Sequence, residues 1–338
     1  MAKRLLPRSI WEWLRRGRRA VRLRLNALVL DWLKAIWRHQ RIARRFVPPD
    51  PADRATETPP SLRASVERSL RCAVFYPQMP DSRAAIYKMV SLLGMRMSDD
   101  ASRYADVYIR WEDTTFGHVD ETLQRLGQRA RVLNIGCTDI SKTHVENVFA
   151  NTFGYGSVID PRRHHGPAVE KSIWNAGHSG RIVQCPLAEP AADVIYQLPI
   201  NNVEDGQTIL DLRVPIVGGM VPFVYLKRRP VANRFANINS AVDLAEPETV
   251  FSHAELADVR RFAENMALDY GEIDILRNQD DSRIYIVDVN NTPFGPPREI
   301  DSASGAIAMH RLATAFEEQF LRAPNLKRPV QSELAHVA

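Results

Sequence analysis

The chain has 338 residues, 45% hydrophobic and 25% charged, enough for one large core or two to three coupled subdomains and too ordinary in composition for bulk disorder. Its three cysteines, Cys72, Cys137 and Cys185, lie far apart without a Cys-x-x-Cys; this argues against a disulfide framework or zinc site and fits a reducing cytosol. The net charge is +5, but residues 1–47 carry fourteen Lys or Arg against Glu12 and Asp31, a sum of +12, which leaves +5 − 12 = −7 for the rest. The basicity belongs to an arm, so no nucleic-acid partner is expected.

Within the arm, Trp11, Leu14, Val21, Leu25, Leu28, Trp32, Ile36 and His39 recur at helical spacing between arginines. The pattern predicts a basic amphipathic helix over 1–47. Its longest uncharged run, 25–30, is far below the roughly 20 residues needed to cross a bilayer. The expectation is a cytoplasmic protein, peripheral on the inner face of an anionic membrane through residues 1–47. The alternatives are a partner protein, docking on the chain's own body, or a transit peptide. Prolines 48, 49, 51, 59 and 60 mark a linker over 48–68.

Strand patterns follow at 71–76, 105–111 and 129–135, with a helical stretch at 83–93 ending at Gly94. Strands separated by helices predict a small parallel α/β unit over 69–135. No G-x-G-x-x-G, P-loop, H-E-x-x-H or G-x-S-x-G occurs, so those chemistries drop out. After Lys142 a helix is expected over 143–153, closed by Gly154. Lys171 then ends a strand ahead of Asn175-Ala176-Gly177-His178-Ser179-Gly180 and a second strand at 181–184. Such a hairpin tip lets backbone N–H groups approach phosphate oxygens beside a lysine. Lysine is scarce, seven of 45 basic residues, yet Lys142, Lys171 and Lys227 all fall in these segments. In a chain that otherwise uses arginine, that placement marks sites for a slim ammonium.

Segments 270–277 (YGEIDILR) and 283–289 (RIYIVDV) alternate as strands around the polar turn 278–282, with Asn290 next. On an antiparallel pair Asp274 can face Asp288, while Asp288 and Asn290 share a face. Acids inside apolar strands need a partner or a metal, and this oxygen set suits Mg²⁺ on nucleotide phosphates.

In this order, residues 134–297 resemble the ATP-grasp superfamily, and the preceding α/β unit resembles its pre-ATP-grasp domain. The fold class expected is therefore α/β (α+β), with ATP-grasp over 136–325. The resemblance divides this into a nucleotide lid, 136–200, and a metal and catalytic unit, 201–325, before a tail at 326–338. It implies ATP bound by Lys142, Lys171, the loop Gly177, His178, Ser179 and Gly180, and the hinge residues Gln197, Leu198 and Ile200. It further implies Mg²⁺ or Mn²⁺ on Asp274, Asp288 and Asn290, and Arg213, Lys227 and Arg234 as catalytic cations. Asp288 stands where the family more often has Glu. The activity implied is ATP-dependent activation of a small-molecule, peptide or sugar-acid carboxylate as an acyl phosphate, attacked by an amine or other nucleophile. Kinase-like transfer and a non-catalytic, membrane-associated nucleotide-binding scaffold are the alternatives. Glu272, two residues before Asp274, is a candidate for substrate, a second metal or an ion pair.

Overall fold

The computed structural model describes residues 30–48, 71–175, 177, 180–236 and 238–322. The first 29 residues of the arm, all of the expected linker except Pro48, His178, Ser179 and the 326–338 tail lie outside the described residues. The arm enters as helix α1, residues 30–45. It packs on the body rather than standing apart, with Ile42 and Phe46 in a cluster shared with the first sheet and the C-terminal helix.

Strands β1 (Cys72–Pro77), β2 (Arg96–Ser98), β3 (Val107–Trp111) and β4 (Val132–Leu133) form a parallel sheet in the order β2-β1-β3-β4. The buried run of β1 and the wholly buried β3 are what a parallel strand covered on both faces requires. Helix α2 (Ala85–Leu92) buries Ile86, Met89 and Val90 between β1 and β2 in the chain. Helix α3 (Glu121–Arg129) is capped by Asp120, whose Oδ1 accepts from the Leu123 N–H at 2.8 Å.

The expected strand at 129–135 shrinks to two residues, because α3 runs through Arg129 and Asn134 turns the chain at φ 59°. Asn134 then behaves like a strand residue through its side chain. Its Nδ2 donates to the Tyr270 carbonyl at 2.6 Å, and its Oδ1 accepts from the Tyr270 N–H at 2.9 Å. That pair ties the first sheet to the second half of the chain.

Helix α4 (Lys142–Phe153) starts on the cap Ser141 and ends at Gly154, left-handed at φ 76°. An antiparallel three-stranded sheet follows, β6-β5-β7, from β5 (Gly166–Ser172), β6 (Arg181–Cys185) and β7 (Val194–Gln197). The largest sheet is β10-β9-β8-β11-β12, built from β8 (Thr208–Val217), β9 (Val224–Pro230), β10 (Ala241–Ala245), β11 (Tyr270–Arg277) and β12 (Ile284–Asn290). Helix α5 (His253–Asn265), with a Ser252–Glu255 capping box, crosses between β10 and β11 in sequence. Helix α6 (Ser302–Phe316) closes the first core.

Period-two alternation splits this large sheet into an oily face and a polar one. Leu212, Val214, Ile216, Val224, Ile273, Ile275, Ile286 and Val289 join Val145 and Phe149 of α4 and Val259 and Phe262 of α5 in one apolar cluster. Their strand neighbours Asp211, Arg213, Lys227, Arg229, Glu272, Asp274, Asp288 and Asn290 take the other side. Strict alternation in β12 would place Asp288 with Ile284 and Ile286. A bulge prevents this: Ile275 pairs with Ile286, yet Asp274 pairs with Asp288, so Val287 is the extra residue. One inserted residue turns Asp288 and Asn290 to the polar face.

Candidate functional site

The polar face of the five-stranded sheet is the floor of a cleft, and the three-stranded sheet with the start of α4 supplies its opposite wall. Lys142, Lys171, Gly177, Gly180, Gln197, Leu198, Ile200, Arg234, Asp274 and Asp288 all line this one cleft, together with Ser157, Trp174, Asn202, Asp211, Arg229 and Phe235.

The two walls meet through charge. Lys142, first residue of α4, places Nζ 3.4 Å from Asp288 Oδ1 and equally far from the Trp174 carbonyl. Lys171 points into the cleft from β5. Its neighbour Glu170 is held by Arg181 at 2.6 Å and by the Tyr196 hydroxyl at 3.0 Å. Burial, reinforced by the positive charge of Lys142, pulls the Lys171 ammonium down to about 8. An ammonium held in that state gains most from a nearby anion.

On the floor, Arg213 grips Asp274 bidentately, Nε to Oδ1 at 2.8 Å and a second nitrogen to Oδ2 at 2.9 Å. Its third nitrogen reaches Glu272 at 3.5 Å, and Lys227 Nζ stands 3.9 Å from Asp274. Burial works to raise the Asp274 carboxyl, but Arg213 and Lys227 outweigh it and hold that group well below the usual carboxylate range. Asp288 differs. Burial lifts its carboxyl above the ordinary value, Lys142 offsets part of that, and Asp274 adds to it. Burial also lifts Glu272 to about 7 against the attraction of Arg213. Arg213 and Lys227 therefore sit beside Asp274, engaged with carboxylates, while Arg234 is in the cleft wall itself.

Among the described residues no group of three His, Cys, Asp or Glu forms a metal site. Asp274 and Asp288 are register partners, and Asn290, partner of Glu272, follows on the same face. Asn290 Oδ1 already accepts from the Thr292 N–H at 2.9 Å and, at a long 3.5 Å, from the Thr292 hydroxyl, and the second of these is weak enough for a cation to replace. Two opposed carboxylates, Asp274 held by Arg213 and the half-buried Asp288 with Lys142 as its nearest cation at 3.4 Å, fit Mg²⁺ that takes its remaining ligands from phosphate and water.

At the far end, Gln197 is buried and its Nε2 donates to Glu146 Oε2 at 3.0 Å. Its buried Oε1 takes no hydrogen bond from the described residues, and the residue borders the cleft. The Leu198 N–H donates to the Ser157 carbonyl at 2.8 Å. Arg234 donates to the Ile200 carbonyl and to Asn202 Oδ1, each at 3.1 Å. Asn202 in turn donates to Asp211 at 2.8 Å, and Asp211 pairs with Arg229. Gly180 is required by close approach, since a Cβ there would collide with the Phe235 ring.

No protein-family model matches the chain, and no curated protein matches it by sequence. Among solved structures, the ATP-grasp ligase PsnB, complexed with a phosphomimetic variant of its minimal precursor, Mg and ADP, is similar at TM-score 0.50. That likeness has 15% identity and covers 74% of this chain and 98% of that one. The chain has the ATP-grasp fold. D-alanine–D-alanine ligase from Bacillus anthracis is similar at TM-score 0.48 and 12% identity, covering 75% of this chain and 97% of its own. For D-cycloserine synthetase DcsG the values are 0.44 and 14%, with 74% and 99% covered.

Several residues in and around the cleft carried no sequence signal. Glu146 looks like an exposed helix acid, but it is buried and accepts from Ser157 and Val158 as well as Gln197. It ties strand β7 to α4. Asn202, next to the polar turn after Ile200, carried only the signal of its own polarity. Trp174 stacks edge-on with Phe116 at 5.0 Å, both rings exposed, where the segment after β5 meets the first α/β unit.

Proposed function

We propose that the chain is an ATP- and Mg-dependent ligase that activates a substrate carboxylate as an acyl phosphate for an amine or other nucleophile. One observation carries this reading: the Lys142 ammonium lies 3.4 Å from the Asp288 carboxylate, so cationic and acidic walls distant in sequence converge on one cleft. In phosphoryl transfer the protein's task is positioning and charge neutralisation, and that is what such a cleft supplies.

In this reading Lys142, Lys171 and the 177–180 loop hold the ATP phosphates. Gln197, with its free acceptor, and Leu198 and Ile200 line the base. Asp274, Asp288 and Asn290 hold Mg²⁺, which when bound offsets the charge of the phosphates. Arg213 and Lys227 keep Asp274 ionised and aimed, and Arg234 offers a guanidinium to the developing oxyanion. The corresponding division is a pre-ATP-grasp unit at 69–135, a nucleotide lid at 136–200 and a metal-bearing unit at 201–325. The substrate is a small-molecule, peptide or sugar-acid carboxylate.

The test is to incubate the protein with Mg-ATP, a panel of carboxylates and hydroxylamine. Hydroxamate with equimolar ADP is expected. A stable phosphorylated product without hydroxamate would reassign the chain to kinase-like transfer, and ATP that neither binds nor turns over would end the proposal.

A further inference from the structure

Helix α1 carries two apolar faces, and only one is spent on the body. Ala35, Ile42 and Phe46 are buried, one or two turns apart along the same side. His39 Nδ1 lies 3.1 Å from the Ser91 carbonyl, and His310 Nε2 donates to the Phe46 carbonyl at 2.8 Å. Asp31, the one acid of the described arm, is paired with Arg103 at 2.9 Å.

The opposite side exposes Leu30, Leu33 and Trp37 at 56, 49 and 60% of their surface. Lys34, Arg41 and Arg44 are exposed around them. With 3.6 residues per turn, positions 30, 33, 37, 41 and 44 fall on one strip. The Arg41 guanidinium lies over the Trp37 ring at 5.4 Å. Large apolar side chains bordered by cations, with a tryptophan among them, form a surface that gains from an interface apolar below and negatively charged above.

Charge decides among occupants. Residues 1–47 sum to +12, and Arg103 already neutralises Asp31. A second copy pairing strip against strip would bring the same charge against itself. An anionic lipid surface offers opposite charge and an apolar layer together.

We propose that the outward face of α1, Leu30, Leu33 and Trp37 with Lys34, Arg41 and Arg44, seats on an anionic lipid surface. The inward face holds the body against it. This assignment is independent of the ligase reading, because none of these residues lines the cleft.

The experiment is cosedimentation of the full chain with vesicles of phosphatidylcholine and phosphatidylglycerol in equal parts, and with phosphatidylcholine alone. Binding is expected to the first only and to weaken with salt. The double variant Leu33→Ser/Trp37→Ser is expected to lower partitioning by roughly tenfold, with thermal stability and solution ATP turnover unchanged. Failure to bind anionic vesicles overturns the proposal. Equal binding by the double variant also overturns it, by moving the contact to residues 1–29. A concentration-dependent dimer abolished by the variant makes a second copy the occupant. A marked fall in its melting temperature assigns the face to residues of the same chain.

Discussion

The two walls of the cleft are built to different standards. The acidic floor lies on a five-stranded sheet whose reverse face is a continuous apolar cluster closed by α4 and α5. Each floor residue there has a register partner, as in Asp274 with Arg213 and with Asp288. The three-stranded sheet that carries Lys171 contributes no residue to any of the three hydrophobic clusters of the described chain. It is fastened by polar contacts, the Glu146 bracket and the Phe116–Trp174 pair. A floor backed by a packed core holds charge in place, and a sheet outside those clusters has less packing to hold it.

That contrast is easiest to break at the floor. Asp288→Asn removes the under-compensated carboxylate and is expected to cut Mg-ATP turnover at least about a hundredfold, with circular dichroism and melting temperature preserved. Undiminished turnover would separate Asp288 from the chemistry.

On the opposite wall, Lys171→Met is expected to raise KM for ATP by roughly tenfold or more, with a smaller change in kcat. With its ammonium pulled down to about 8 by burial and Lys142, nucleotide affinity should be full below that pH and decline above it. In Lys171→Met the decline should disappear, as titration calorimetry across pH would read.

A stability measurement addresses the floor alone. The Glu272 carboxyl is lifted by burial to about 7 from an ordinary 4.5. Between those values the folded chain keeps a proton that the unfolded chain has released, so stability falls as pH rises through that window. Glu272→Gln should flatten that slope in denaturant melts. The smallest signal is dynamic: amides of β5, β6 and β7 should exchange with deuterium faster than those of β8 and β11 without nucleotide, and the gap should narrow with it. Equal protection of both sheets would remove the contrast.

Much of the site was legible before folding. Acids set into I-D-I-L and I-V-D-V, a rare lysine before a glycine-bearing turn, and their order along the chain are local features, and chemistry constrains them locally. The arm is less legible. Its repeat at Trp32, Ile36 and His39 falls on the flank of the docked side, which centres on Ala35, Ile42 and Phe46. A helix with apolar residues on two faces does not state which one packs; the surface it meets does.

By itself, then, the sequence determined which residues are strand-borne acids, which lysines are set apart, and that the basic charge belongs to one end. These follow from side-chain chemistry and two short periodicities. The tertiary structure alone decided the meeting of Lys142 with Asp288, the bulge at Val287 that turns Asp288 toward the cleft, the burial of Glu146, and the two-sided use of α1. Each depends on packing between segments far apart in the chain, and no local pattern encodes the energy of a contact that only the folded arrangement creates.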